Sequence, residues 1–171
     1  TPVATDTPFI IASISKSFTA ALVLKLVDEG KISLDDTLAS LLPEFDAPYA
    51  AKVTLRQMLQ NRSGIPHYID IPGWFDNDIK RTFTPDSFMT ALKALELKFE
   101  PGSDYLYSNV NYYLLATIID RYAGMPYEDY LKAEILEPFG MSATGQIYEA
   151  GTSTLAPNYL RGDNGSLKEI P

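Results

Sequence analysis

The run from Ile14 to Glu29, "ISKSFTAALVLKLVDE", constrains the fold more than any other part of the chain. Its apolar residues Ile14, Phe18, Ala21, Leu22, Val23, Leu24, Leu26 and Val27 follow one another too closely for a helix that is apolar on one face only. Gly30 stands where such a helix would stop. The pattern predicts a helix buried on most of its circumference, and therefore a fold in which other helices surround it. At 171 residues the chain is long enough for one such core and short for two, so residues 1–171 are read as a single helical domain. The 46% hydrophobic and 21% charged residues are those of a globular protein, with no stretch resembling a membrane span.

Further helices announce themselves by their ends. In "ISLDDTLASLLPEF" Ser33 is a candidate N-cap with Asp35 and Asp36 in the first turn, and Pro43 closes the segment. "VTLRQMLQNRSG" has Thr54 and Gln57 at capping-box spacing, Leu55, Met58 and Leu59 on one face, and Gly64 past the end. "TPDSFMTALKALE" puts Thr84 at the N-cap and Pro85 at the first helical position. "NVNYYLLATIIDRYAG" predicts another buried helix closed by Gly124, and "PYEDYLKAEILEPFG" repeats the proline start and glycine stop. Between them, Ile65 to Phe83 reads as an extended loop carrying His67 and Trp74, and the tail reads as two short extended pieces around a turn at Asp163 to Gly165. Six or so helices are expected, without a set of strands for a central sheet.

Charge and composition narrow the function. A net charge of -8 and a pI near 4.6 repel phosphate backbones, which argues against a nucleic-acid partner. The absence of cysteine removes thiolate nucleophiles, disulfides and cysteine-ligated zinc. With one histidine, His67, a multi-histidine metal site is excluded and a Ser-His-Asp triad would have to use that residue. Thr1 to Thr7 lacks the charged and apolar regions of a signal peptide. No cofactor is implied.

Two short stretches carry chemistry-bearing residues. In "SISK" Ser13 and Lys16 stand three apart, a spacing that brings side chains together on a helix. Serine needs a base to become a nucleophile, and a lysine beside positive potential can serve as one. A helix N-terminus also favours an oxyanion. The pair has an equally simple structural reading, Ser13 as an N-cap and Lys16 as a solvated first-turn residue. In "YLYSNVNYYLL" Tyr107 and Asn109 lie at the turn into a buried helix. A tyrosine near a lysine can exchange a proton, and an asparagine can hold an amide by one donor and one acceptor. Here too a structural reading stands: Asn109 as an N-cap and Tyr107 as a core aromatic.

Taken together, "PFIIASISKSFTAALVLKLVDEGKISLDD", "VTLRQMLQNRSGIPHY" and "FEPGSDYLYSNVNYYLLATIID" resemble three successive signature regions of the penicillin-recognising serine hydrolases. The nearest branch is the class C β-lactamases, with D-alanyl-D-alanine carboxypeptidases, D-aminopeptidases and lactamase-like esterases around it. The resemblance implies Ser13 as the nucleophile that forms an acyl-enzyme, its N–H as half of the oxyanion hole, and Lys16 as proton acceptor or as the group that lowers its neighbours' pKa values. It implies Tyr107 as partner base and acid, and Asn109 as the residue that orients substrate and Lys16. Ser63, Gly64 and Pro66 match a segment that is structural in the family. The implied substrate is a small molecule or peptide with an amide or ester bond, and the implied setting is the cell envelope or periplasm.

The family's third motif, Lys-Thr-Gly or His-x-Gly on a strand lining the cleft, has no counterpart in the chain, and neither does the sheet that carries it. The expected fold is therefore mainly α, the helical portion of the β-lactamase and penicillin-binding-protein α/β fold with the central antiparallel sheet mostly absent. A missing segment or second polypeptide would supply the third motif, and the chain alone would be a poor catalyst. The alternative is a non-catalytic module, either penicillin-sensor-like or a helical interaction domain.

Overall fold

The computed structural model describes residues 3–71, 74, 84–146, 155–161 and 165–170. They fall into two compact units, Lys16–Tyr127 and Thr1–Ser15 with Glu128–Pro171. The apolar run becomes α1 (Ser15–Asp28), which buries Thr19, Leu22, Val23 and Leu26. The expectation of burial on most of its circumference is corrected to one side, because Ala21 and Leu24 on the other side are exposed and Leu24 is 45% accessible. Among the described residues α1 has partners on one side only, so the outer apolar positions meet solvent.

The first unit continues through α2 (Leu38–Leu41), α3 (Leu55–Leu59), α4 (Pro85–Lys93) and α5 (Asn109–Ala123). Ser33 opens a turn and not a helix: its N–H donates to Asp36, and its Oγ accepts from Asp35. Thr37 is the actual cap of α2, accepting from the N–H of Ser40. At α3 both capping-box bonds form, Gln57 N–H to Thr54 Oγ1 at 3.3 Å and Thr54 N–H to Gln57 Oε1 at 2.9 Å. Thr84 caps α4 with Pro85 at the first position, as its sequence predicts. The core gathers Leu22, Leu26, Phe45, Met58, Leu114 and Ile118, all fully buried, and each contributes about 1.5–3 kcal/mol by leaving water.

Gly64 lies past the end of α3 but does not terminate it. Asn61 does, with φ 54. Asn61 N–H donates to Met58 O at 3.1 Å and Arg62 N–H to Gln57 O at 2.8 Å, the two bonds of a Schellman motif with asparagine in the left-handed position. The chain from Asn61 to Gly64 then runs beside the chain from Lys98 to Leu106. Gly64 O accepts from Lys98 N–H at 2.9 Å and Arg62 O from Gly102 N–H at 2.7 Å. This pairing supports the segment that enters α5.

In the second unit, a 3-10 turn at Ala12–Ile14 leads to Ser15, and Ala156 N–H donates to Pro8 O at 2.9 Å. Helix α6 (Tyr127–Leu131) passes from Glu128 onward into a π-helical turn at Lys132–Leu136. The tail forms β1 (Asn158–Arg161) and β2 (Leu167–Ile170), antiparallel, with Tyr159 opposite Glu169 and Arg161 opposite Leu167. Among the described residues this hairpin is the only sheet. Residues 162–164 of its turn, and most of the loop expected between Ile65 and Phe83, lie outside the described residues. No helix among the described residues is long and apolar enough to cross a membrane.

Candidate active site

The site is built from the N-terminal end of α1 and the chain entering α5. Lys16 is the second residue of α1, and its Nζ lies 5.0 Å from the centroid of the Tyr107 ring and 5.5 Å from that of Tyr112. The negative face of each ring attracts an ammonium, by about 0.5–1 kcal/mol at an exposed site and more where water is excluded. Tyr107 is expected beside Lys16 from the sequence, whereas nothing local in the sequence marks Tyr112. Its contribution comes from a long-range contact: Tyr112 Oη donates to Leu59 O at 3.0 Å and so fixes the ring. Burial, and then the nearby phenols of Tyr107 and Tyr105, push the Tyr112 phenol above its ordinary pKa, which keeps it protonated and donating.

Ser108, and not Asn109, caps α5, and its Oγ accepts from Val110 N–H at 3.2 Å. Asn109 is thereby the first residue of the helix, and its Oδ1 is buried without a hydrogen-bond partner among the described residues. Buried polar atoms are nearly always satisfied, so this acceptor, two residues after Tyr107, is an exception. Tyr107, 39% accessible, stands just outside the cap.

Ser13 belongs to the second compact unit. It is exposed, at the centre of the Ala12–Ile14 turn. Helix α1 begins at Ser15, so Ser13 precedes the N-cap position instead of filling it. Ser15 Oγ donates to Ala12 O at 2.7 Å. Ala12 has φ 45, a left-handed conformation that costs a residue with a Cβ about 1–2 kcal/mol. Strain of this kind collects at functional sites. Along the chain, Lys16 follows Ser13 by three residues.

His67, which no motif in the sequence marks, is close enough to Lys16 to feel its charge. Burial chiefly holds the imidazole below its ordinary pKa; Asp70 opposes it, and the Lys16 cation adds a smaller push in the same direction as burial. Its Nδ1 accepts from Ile69 N–H at 3.4 Å, which leaves Nε2 to carry the proton, and its ring lies 4.1 Å from that of Tyr68. Trp74 packs 4.7 Å from Tyr68 and 6.5 Å from Phe88. Among the described residues no cluster of acidic or histidine side chains is arranged to hold a metal ion. A cavity of about 410 Å³ in the second unit, lined by Leu131, Lys132, Leu136 and Met141 among others, contains none of the candidate residues.

The chain matches the family model described as Beta-lactamase over residues 1–159. It is 37% identical over 147 residues to Penicillin-binding protein 4* of Bacillus subtilis, a match covering 84% of this chain and 31% of that protein. Among solved structures, a D-stereospecific amidohydrolase from Streptomyces sp. superposes with a TM-score of 0.74 at 27% identity, covering 95% of this chain and 52% of that one. A class C β-lactamase in complex with cefoxitin shares the fold, with a TM-score of 0.77 at 22% identity over 100% of this chain and 46% of that one. The chain thus spans about a third of the length of the curated relatives it matches and about half that of these structures. With nearly all of its length inside the family model, and with the order of its signature regions matching, the chain belongs to the β-lactamase family of penicillin-recognising serine hydrolases.

Proposed function

We propose that the intact protein is a serine hydrolase that cleaves an amide or ester through an acyl-enzyme on Ser13. The observation that carries this is the seating of Lys16 Nζ against the Tyr107 ring at 5.0 Å, with Ser13 three residues before Lys16 along the chain. A lysine and a phenol held together can pass a proton between them, which suits Tyr107 to take the proton of Ser13 Oγ–H. The Ser13 oxygen then forms a bond to the substrate carbonyl carbon, and the carbonyl becomes an oxyanion stabilised by the Ser13 N–H. Collapse expels the amine or alcohol, which takes the proton back from Tyr107. Water repeats the sequence on the acyl-enzyme and releases the acid and free Ser13. Asn109, at the start of α5 two residues after Tyr107, orients the amide of the substrate in this reading, such as a β-lactam side chain or a D-amino-acid peptide.

Polypeptide beyond residues 1–171 supplies the second oxyanion donor and the third motif in this reading. Support comes from the share of its relatives that the chain spans and from the exposure of the apolar Phe9, Ile10 and Ile14 flanking Ser13. The test is labelling of the intact protein with a fluorophosphonate and with a tagged penicillin. Both are expected to modify wild type and neither to modify Ser13→Ala. Labelling that survives the substitution refutes the proposal, and a penicillin adduct that never turns over favours a sensor over an enzyme.

A further inference from the structure

Asn61 does more than end a helix. A glycine would serve at a left-handed position after α3 at no steric cost, yet the chain has an asparagine there, only 8% accessible. Its main-chain oxygen accepts the N–H of Leu106 at 2.9 Å. Its side-chain Oδ1 accepts the N–H of Ser108 at 3.1 Å and the amide Nδ2–H of Asn111 at 3.2 Å. Leu106 and Ser108 are the two neighbours of Tyr107, so a single residue holds the backbone on both sides of that tyrosine.

The clamp is itself fixed. Ser63 Oγ–H donates to Asn111 Oδ1 at 2.7 Å, which sets the Asn111 amide with its oxygen towards Ser63 and its nitrogen towards Asn61. Ser63 Oγ accepts Ile65 N–H at 3.1 Å, and Ser108 Oγ–H reaches Pro66 O at 2.9 Å. Asn61, Ser63, Ser108 and Asn111 are all buried, so each bond is made without competition from water, and an unpaired member would be costly. A side chain that exchanges a proton has to be held to a fraction of an ångström, and displacement by about 1 Å costs on the order of a hundredfold in rate.

We infer that Asn61 is a positioning residue for the reaction: through its Oδ1 it fixes the Tyr107 backbone so that the phenol stays against Lys16. This rests on the hydrolase reading given above. Substitution Asn61→Gly keeps the left-handed backbone and the bond to Leu106 N–H but deletes the acceptor of Ser108 N–H. Substitution Asn61→Asp keeps an acceptor oxygen at the same reach.

The experiment measures fluorophosphonate acylation and steady-state hydrolysis of an activated ester by the intact protein, with amide hydrogen exchange at Leu106 and Ser108. Asn61→Gly is expected to slow acylation and kcat by about tenfold or more, to leave KM within about threefold, and to speed exchange at Ser108 but not at Leu106. Asn61→Asp is expected to recover most of the rate. The inference is overturned if folded Asn61→Gly acylates at the wild-type rate, or if the loss falls on KM with kcat unchanged. Should Asn61→Gly fail to fold, two results on proteins that do fold still overturn it: rapid exchange at Ser108 in wild type, or Asn61→Asp as slow as Tyr107→Phe. Failure of wild type to label at all refutes instead the hydrolase reading, leaving the exchange result as a fact about the clamp.

Discussion

Replacing Gly64 by alanine separates two costs that usually come mixed. Gly64 has φ 78, and a Cβ built on it would collide with the main-chain oxygen of Phe99 and stand 3.4 Å from its carbonyl carbon. Gly124, at the end of α5, has nearly the same φ of 74 but no atom within 4 Å of such a Cβ. Each variant forfeits about 1–2 kcal/mol for placing a residue with a Cβ in the left-handed region. Only Gly64→Ala adds the displacement of a backbone carbonyl, which overpacked sites put at about 1–3 kcal/mol. The expected losses are therefore about 2–5 kcal/mol at Gly64 against about 1–2 kcal/mol at Gly124. Urea denaturation of the intact variants, fitted with a common slope, reads the difference. Because Gly64 O also accepts Lys98 N–H, the same shift loosens the chain leading to Tyr107, so Ser13 labelling is expected to slow in Gly64→Ala and not in Gly124→Ala. Equal destabilisation of the two variants would refute the close approach to Phe99.

Three further outcomes follow from the site. Tyr107→Phe keeps the ring face towards Lys16 and removes the proton carrier, so acylation is expected to fall by about a hundredfold or more with unfolding unchanged; stopped-flow acylation and a thermal melt check both halves. Ala12→Val places a β-branched residue at φ 45 and is expected to cost about 2 kcal/mol or more, whereas Ala12→Gly is tolerated, as comparative urea melts would read. His67 has a lowered pKa in the fold, so the fold favours its neutral form. Its contribution to stability is present above the ordinary histidine value of about 6.5 and is lost as the pH falls through the lowered folded value. Stability measured from pH 7.5 to 5 is expected to drop less in His67→Gln than in wild type.

The helix ends were legible where one side chain performs the capping. Thr54 with Gln57 and Thr84 with Pro85 do what their spacing predicts, and Gly124 closes α5. The misplacements share a cause. Ser33 and Asn109 have the right chemistry for a cap, but a neighbour of similar chemistry, Thr37 or Ser108, holds the position, and tertiary hydrogen bonds decide between them. The pairing of Lys16 with Tyr107 rests on resemblance to a family and not on spacing, since 90 residues of chain lie between them. Tyr112 and His67 carried no local signal at all. Their parts depend on which rings and charges the fold brings to Lys16. Likewise, α1 reads as buried on most of its circumference because its sequence records every apolar position, while the described residues cover one side.

The central claim is that Ser13 carries the acyl group. Rapid-quench intact-mass spectrometry of the full protein with a slowly hydrolysed ester or β-lactam, followed by peptide mapping, tests it directly. The account predicts a transient mass increase equal to the acyl group, mapped to Ser13, that decays at the rate of turnover. Turnover without such an adduct, or an adduct on any other residue, would contradict it.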